Sequence, residues 1–250
     1  MRIKLAYSPC PNDTFAFHAM VHGLVDCEGL SFEPVLADVQ ELNSAAQQEQ
    51  YHMCKLSYHA YFLLLDKYVM LRSGSAMGFG NGPLFVAKKG SAAFNSKREP
   101  NLEEILSTTI LTPGEHTTAS LLLKIAFPKA TKTRPIIFSN IEEQLVKGQA
   151  LSGVLIHESR FTYHKKGLQL ITELGLEWQK RSNLPIPLGG IAISRKLQSK
   201  VALKLQRVLK RSILYAQENP FASKGYVCKY AQEMESNVLE QHIKMFVNQF

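Results

Sequence analysis

Four times along this chain a short β-rich run stops at a small polar turn and passes directly into a further patterned run. "IKLAY" (3–7) leads through "SPCPND" (8–13) into the helical pattern "TFAFHAMVHG" (14–23), closed by Gly23. "QYHMCKLS" (50–57) leads into "YHAYFLLLDKY" (58–68), with Ser57 placed to cap a helix. "TTILT" (108–112) leads through "PGEHTT" (113–118) into "ASLLLKIAF" (119–127). "LSGVLIHE" (151–158) leads through "SRFTY" (159–163) toward a fourth helical run, "HKKGLQLITELG" (164–175). Strands alternating with helices define an α/β fold built on parallel sheet. In such sheets ligands bind beyond the carboxyl ends of the strands, where unpaired N–H groups and helix dipoles attract anions. Asn12, Asp13, Ser57, Thr117 and Thr118 stand at these turns and are helix-capping residue types.

Two Gly/Pro-rich stretches interrupt the alternation. "SGSAMGFGNGPLFVAKKG" (73–90) holds five glycines and a proline around the strand "PLFVAKK", and "SNLPIPLGGIAISRK" (182–196) leads into "GGIAIS". Paired crossings about 100 residues apart predict two lobes joined twice, with a cleft between them. The expected division is 1–84 plus 188–250 for one lobe and 85–187 for the other. "GFGNG" matches neither G-x-G-x-x-G nor G-x-x-x-x-G-K-[ST], and a strand follows it, so no nucleotide loop is assigned.

Composition narrows the partners. No apolar run approaches the roughly 20 residues that span a bilayer, and only Leu5-Ala6-Tyr7 separate the first basic residues from a polar turn. A cytoplasmic protein without membrane insertion is therefore expected. The four cysteines (Cys10, Cys27, Cys54, Cys228) form no C-x-x-C pair and suit a reducing compartment. A formal charge of +8 favours an acidic partner. The densest basic run, "SKVALKLQRVLKR" (199–211), places Lys200, Lys204, Arg207 and Arg211 on one helical face. It lacks the aromatics that stack on bases, so it reads as a solvated helix face, and no nucleic acid is expected. A small-molecule carboxylate fits the charge instead; the oligomeric state stays open, a homodimer included.

"SPCPNDTFAFHA", "CKLSYHAY", "GFGNGPLFVAKK", "TPGEHTTASLLL", "GVLIHESRFTY" and "LPIPLGGIAISR", in this order, resemble the 1,4-dihydroxy-6-naphthoate synthase family of the futalosine route to menaquinone. The resemblance runs from about residue 3 to the end of the sequence. It implies a two-lobed, type II periplasmic-binding-protein-like α/β fold with a central cleft and two crossover connections, put to catalytic use. The implied reaction converts cyclic dehypoxanthine futalosine to 1,4-dihydroxy-6-naphthoate and releases dihydroxyacetone, a carbon–carbon lyase step with no metal or organic cofactor. Alternatives on the same fold are chorismate dehydratase of the same pathway and a non-catalytic anion-binding protein.

The resemblance also implies a site. His157, in "IHESRF", matches the family's catalytic histidine, and neutral imidazole suits removal of a proton near pH 7. Glu158 could orient the imidazole or face solvent; adjacent residues on an extended strand point oppositely, so solvent is expected. Lys55-Leu56-Ser57 and Thr118-Ala119 match binding positions, where backbone N–H groups and hydroxyls would hold carboxylate or sugar oxygens; Asn43 is a further match. Arg160 could grip a carboxylate in bidentate fashion or form an ion pair on the lobe surface. Asn12 and Asp13 are expected to cap a helix and floor the cleft, with Asn12 in reach of ligand. His116 is placed at the margin of the site. His18 with His22, and His52 with Cys54 and His59, are too sparse for a metal centre, so no metal ligand is assigned.

Overall fold

The computed structural model describes residues 1–97, 99–231 and 235–248. The chain forms two compact units, Met1–Met77 with Gly189–Phe250, and Gly78–Leu188.

The first stretch of chain lays down β1 (Arg2–Tyr7), α1 (Pro11–Val21), β2 (Ser31–Leu36), α2 (Val39–Gln47), β3 (Met53–Ser57), α3 (Tyr58–Phe62), β4 (Tyr68–Met70) and β5 (Ala76–Gly78). The second unit contains β6 (Leu84–Lys88), α4 (Leu102–Ser107), β7 (Ile110–Thr112), α5 (Thr118–Ala126), β8 (Thr133–Pro135), α6 (Ile141–Val146), β9 (Ser152–Leu155), α7 (Ser159–Thr162), β10 (Leu168–Glu173) and α8 (Leu174–Ser182). The chain then returns through β11 (Ile186–Ser194) to α9 (Ser199–Glu218), α10 (Lys224–Tyr230) and α11 (Ser236–Phe246).

In the first unit the strand order is β2-β1-β3-β11-β4. β1 runs parallel to β2 and β3, whereas β11 runs antiparallel to β3 and β4. Side-chain alternation builds a core on each face. Ile3, Leu5 and Tyr7 join Met53, Ile191 and Ile193 beneath α1 and α9. Ala6, Cys54, Leu56 and Ala192 face the other way, toward Leu42 and Ala46 of α2. Pro34 is tolerated because β2 is an edge strand.

The second unit repeats the plan in the order β10-β6-β9-β7-β8. Phe85, Ala87, Ile110 and Val154 meet α5 on one face, while Leu84, Val86, Leu111 and Leu155 meet Ile141 and Leu145 of α6 on the other. Here β7 pairs in parallel with β8 and β9, and β6 pairs antiparallel with β9 and β10. Both sheets are therefore mixed, where the strand–turn–helix recurrence alone predicts parallel ones. The antiparallel members come from the segments beside the Gly/Pro-rich crossings.

Two expected helices also differ. "YHAYFLLLDKY" gives only the five-residue α3, because the chain turns back at Leu64 to make β4. "HKKGLQLITELG" gives β10, not a helix: Gly167 at φ +74° stops the preceding 3-10 turn, and the run that follows pairs along β6.

Candidate functional site

In the first unit the relevant residues surround the turn after β1. α1 starts at Pro11, whose fixed φ and missing N–H suit the first helical position. Its N-cap is Cys10, and no side chain caps it, so the expectation that Asn12 and Asp13 cap this helix is corrected. Both lie inside the first turn and are buried. Asp13 takes hydrogen bonds from Ser8 Oγ (2.7 Å) and Lys55 Nζ (2.9 Å), and Asn12 Nδ2 donates to it at 2.9 Å. The Asn12 amide must present its NH2 to that carboxylate, so its Oδ1 faces His242 Nε2, 2.9 Å away on α11. His242 therefore carries its hydrogen on Nε2.

Lys55 is held by β3, and its ammonium points at Asp13 with its side chain only 10% exposed. The same segment runs beside β11, where Gly189 faces Ser57 and Gly190 faces Leu56. A Cβ at Gly189 would stand 3.2 Å from Lys55 Cε, and one at Gly190 would stand 2.4 Å from Met70 Sδ. Gly189 thus leaves room for the lysine stem, and Gly190 for Met70. Leu56 itself is core, fully enclosed against α2 and β11.

Ser57 precedes α3 without capping it through its side chain. Instead Ser57 and Asn43 form a two-point clamp: Ser57 N donates to Asn43 Oδ1 and Asn43 Nδ2 donates to Ser57 Oγ, both at 3.1 Å. The Ser57 N–H is given to Asn43, and Asn43 is 0% exposed beside it.

The weaker histidines are structural in this unit. His18 and His22 lie tilted against one another, with Tyr226 tilted against His18 and edge-on to His22, and burial, with His22 adding, lowers the His18 pKa. His52 accepts the Lys4 N–H on Nδ1. Burial pushes the Cys54 thiol up to about 12, far from thiolate chemistry. The basic face of α9 is less open than expected, because Arg207 and Arg211 both reach Glu28.

In the second unit β9 ends at Leu155, two residues before His157. His157 has a left-handed backbone, φ +58°, and its half-buried ring stands edge-on to Phe138 with centroids 4.7 Å apart. Non-glycine residues in this region are uncommon and strained, and they concentrate at functional sites. Glu158 is buried at 6% exposed, not solvent-facing. The expectation failed because strand alternation stops before His157, and Glu158 has helical angles at the start of α7.

Arg160 Nη2 bonds Glu173 Oε1 (2.5 Å) and its Nη1 bonds the Gly82 carbonyl (2.8 Å), while Gly82 N donates to the same Glu173 oxygen (3.0 Å). Arg160 thus forms an ion pair, with side chains 13% and 16% exposed, that ties the Gly-rich stretch to β10. Thr117 caps α5 by accepting the Ser120 N–H at 3.2 Å. Thr118 and Ala119 occupy the first two positions of that helix, whose N–H groups have no acceptor within it. Thr118 Oγ1 donates to the Leu188 carbonyl at 2.7 Å, and Ala119 packs in the core. His116 is partly exposed in the turn before them.

His242 and Tyr226 were not singled out from the sequence. Tyr7 and Tyr226 hydroxyls lie 2.6 Å apart, a second long-range tie to the end of β1. The signal for His242 was available: it interrupts the apolar stripe Leu239, Ile243, Phe246 of an amphipathic helix.

The two-sheet α/β architecture is a periplasmic-binding-protein-like fold. It is shared with the Candida albicans CA3427 product, described as having the generic periplasmic binding protein structural fold (TM-score 0.72, 13% identity, 98% of this chain and 81% of that one). A crystal structure of AF1704 from Archaeoglobus fulgidus is nearer, with a TM-score of 0.87 and 34% identity, covering 99% of this chain and 88% of the other. The chain belongs to the menaquinone biosynthesis family, matching its profile over residues 3–250. It is 38% identical over 248 residues to 1,4-dihydroxy-6-naphthoate synthase of Thermus thermophilus, and 34% identical over 256 residues to the enzyme of that name from Streptomyces coelicolor. Each match covers 99% of this chain and 86% of the relative. Among the described residues no helix is long and apolar enough to cross a membrane.

Proposed function

We propose that the protein is a 1,4-dihydroxy-6-naphthoate synthase: a cytoplasmic lyase that breaks a carbon–carbon bond in cyclic dehypoxanthine futalosine and releases dihydroxyacetone. The observation that carries this reading is identity of 38% and 34% to two proteins of that name across 99% of the chain. Neither relative bears the name of the chorismate dehydratase alternative.

His157 is the proposed base. Its imidazole removes a proton, and the electron pair released as the carbon–carbon bond breaks is taken up by a ring that becomes aromatic. That gain lowers the barrier, so one well-placed base can suffice. The left-handed backbone at His157 supports the assignment, since such strain persists where a side chain must be aimed.

The proposed binding residues are Asn12, Lys55, Leu56 and Ser57 with Asn43 behind them, and Thr118 and Ala119 with Arg160. Their contributions differ. Lys55 offers an ammonium of which one N–H bond goes to Asp13. Ser57 Oγ accepts from Asn43, leaving its own hydrogen to donate. Leu56 contributes backbone only, and Thr118 and Ala119 stand at a helix start, whose dipole favours an anion. Arg160 acts by fixing the Gly82 segment.

Incubation of the purified protein with cyclic dehypoxanthine futalosine tests the reading. Chromatography should detect 1,4-dihydroxy-6-naphthoate and dihydroxyacetone in equal amounts. Unchanged substrate, or turnover of chorismate derivatives instead, overturns it.

A further inference from the structure

We infer that His242 is a positioning residue that sets the Asn12 side chain, and through it Asp13 and Lys55, in the geometry used for binding; this rests on the function proposed above. His242 is 1% exposed and sits on the buried face of α11, between Leu239 and Phe246. Packing alone would be served by leucine, without desolvating an imidazole. What the imidazole adds is a donor, Nε2–H, aimed at Asn12 Oδ1 from 230 residues away.

That single bond has consequences along a chain of contacts. An asparagine amide can turn about its last torsion and exchange oxygen for nitrogen. With Oδ1 held by His242, only Nδ2 can face Asp13 Oδ1, and the same oxygen accepts Lys55 Nζ. Ser8 fixes the other carboxylate oxygen. Turning the Asn12 amide over would set its carbonyl against the carboxylate and release one donor from the oxygen that anchors Lys55. Asp13 and His242 thus favour the same one of two amide orientations, and His242 holds it from the oxygen side, which keeps the ammonium in register. The α10 tie between Tyr226 and Tyr7 steadies the same turn but leaves the amide free to rotate, so it cannot replace His242.

The test compares wild type, His242→Leu, His242→Gln and Asn12→Ala, singly and with His242→Leu added to Asn12→Ala. Displaced binding groups should raise KM by about tenfold with kcat changed little in His242→Leu. His242→Gln, which restores an N–H donor, should return KM to within about threefold of wild type. Adding His242→Leu to Asn12→Ala should change KM no further, because the effect runs through Asn12. A second readout needs no turnover: with 15N-asparagine labelling, the Asn12 side-chain amide, identified by its loss in Asn12→Ala, should exchange with water at least about tenfold faster in His242→Leu than in wild type or His242→Gln. Unchanged KM per folded molecule with a lowered melting temperature, or an Asn12 amide indifferent to His242, overturns the inference. Absence of product from wild type instead overturns the proposed function, and the amide exchange then decides the role of His242 alone.

Discussion

Lys55 Nζ stands 2.9 Å from Asp13 Oδ1, and the two side chains are 10% and 5% exposed. One charge comes from the first turn of α1 and the other from β3, so the pair joins elements 42 residues apart. Burying both ions costs several kcal/mol each, and the additional donors from Ser8 and Asn12 help offset it. Removing one partner is worse than removing both. Asp13→Ala should lower unfolding stability by about 3–5 kcal/mol because it strands a buried ammonium. Asp13→Ala combined with Lys55→Met should recover a large part of that loss. Urea denaturation of the two single variants and the double variant measures the coupling; additive losses would mean that the ions stabilise the turn independently.

His157 invites a different pair of substitutions. Its φ of +58° is a conformation that glycine adopts freely and other residues adopt at a cost of order 1–3 kcal/mol. His157→Gly should therefore fold at least as well as His157→Ala, and by denaturant melts should be the more stable of the two. Both should lose naphthoate formation by about 10²-fold or more, the usual scale for losing a general base. Higher stability of His157→Gly than of His157→Ala, with the chemistry lost in both, is the signature of strain at a residue held for function. Turnover close to wild type in either variant would remove His157 from the reaction.

Much of this site is legible in the sequence, for reasons that differ from residue to residue. The β1, β3, β7 and β9 strand ends could be read because apolar runs stopping at small polar turns report backbone geometry directly. Thr117 was readable as a cap because capping is local. Asp13 was misread for the same reason: its carboxylate serves a lysine on another strand, and no local pattern encodes that. Glu158 was misplaced because alternation was extended past Leu155, where the chain had already left the strand. Asn43 and Ser57 were both named, but their reciprocal bonds depend on how α2 lies against β3. His242 lies furthest from local reading, since its partner is 230 residues away. Pairing direction is illegible as well: the runs of β6 and β11 carry no mark of which way they join a sheet, and the β10 run reads as helix until its pairing with β6 is seen.

Glu28 gives the fold an acid-sensitive contact at the basic helix. Its two oxygens meet Arg207 at 2.9 and 2.5 Å, and Arg211 adds a third bond at 3.2 Å. The Arg207 hydrogen bond foremost, with Arg211 adding, holds its carboxyl down to about 2 against an ordinary value of 4.5. A carboxyl lowered in the folded state stabilises the protein above its unfolded pKa, and that contribution fades as pH falls toward the folded value. The stability difference between wild type and Glu28→Gln should thus be constant above about pH 5.5 and close progressively between about 4.5 and 2. Denaturant titrations at stepped pH read this directly, and raised salt should shrink the difference because the contact lies at the surface. A difference independent of pH would assign the loop's hold on α9 to the Lys204 bond to the Glu28 carbonyl instead.

Gly175 and Gly82 meet where α8 begins, and nothing larger fits there. A Cβ on Gly175 would lie 2.4 Å from the Asn81 carbonyl oxygen and 2.9 Å from Gly82 N, both backbone atoms that cannot rotate away. A Cβ on Gly82 would lie 2.9 Å from Gly175 N and Cα. This contact and the Arg160–Glu173–Gly82 bonds hold the same segment, one by close approach and the other by charge. Gly175→Ala should force the 79–82 stretch outward, at a cost of about 1–3 kcal/mol typical of overpacking. The displacement should lengthen the Arg160 bond to the Gly82 carbonyl, so Gly175→Ala and Arg160→Met should be less than additive in stability. Gly90→Ala makes the control: it has φ +74° but nothing within 4 Å, so its cost is backbone strain alone. It should be additive with Arg160→Met. If Gly175→Ala were additive too, the close approach and the ion pair would be fixing the segment separately.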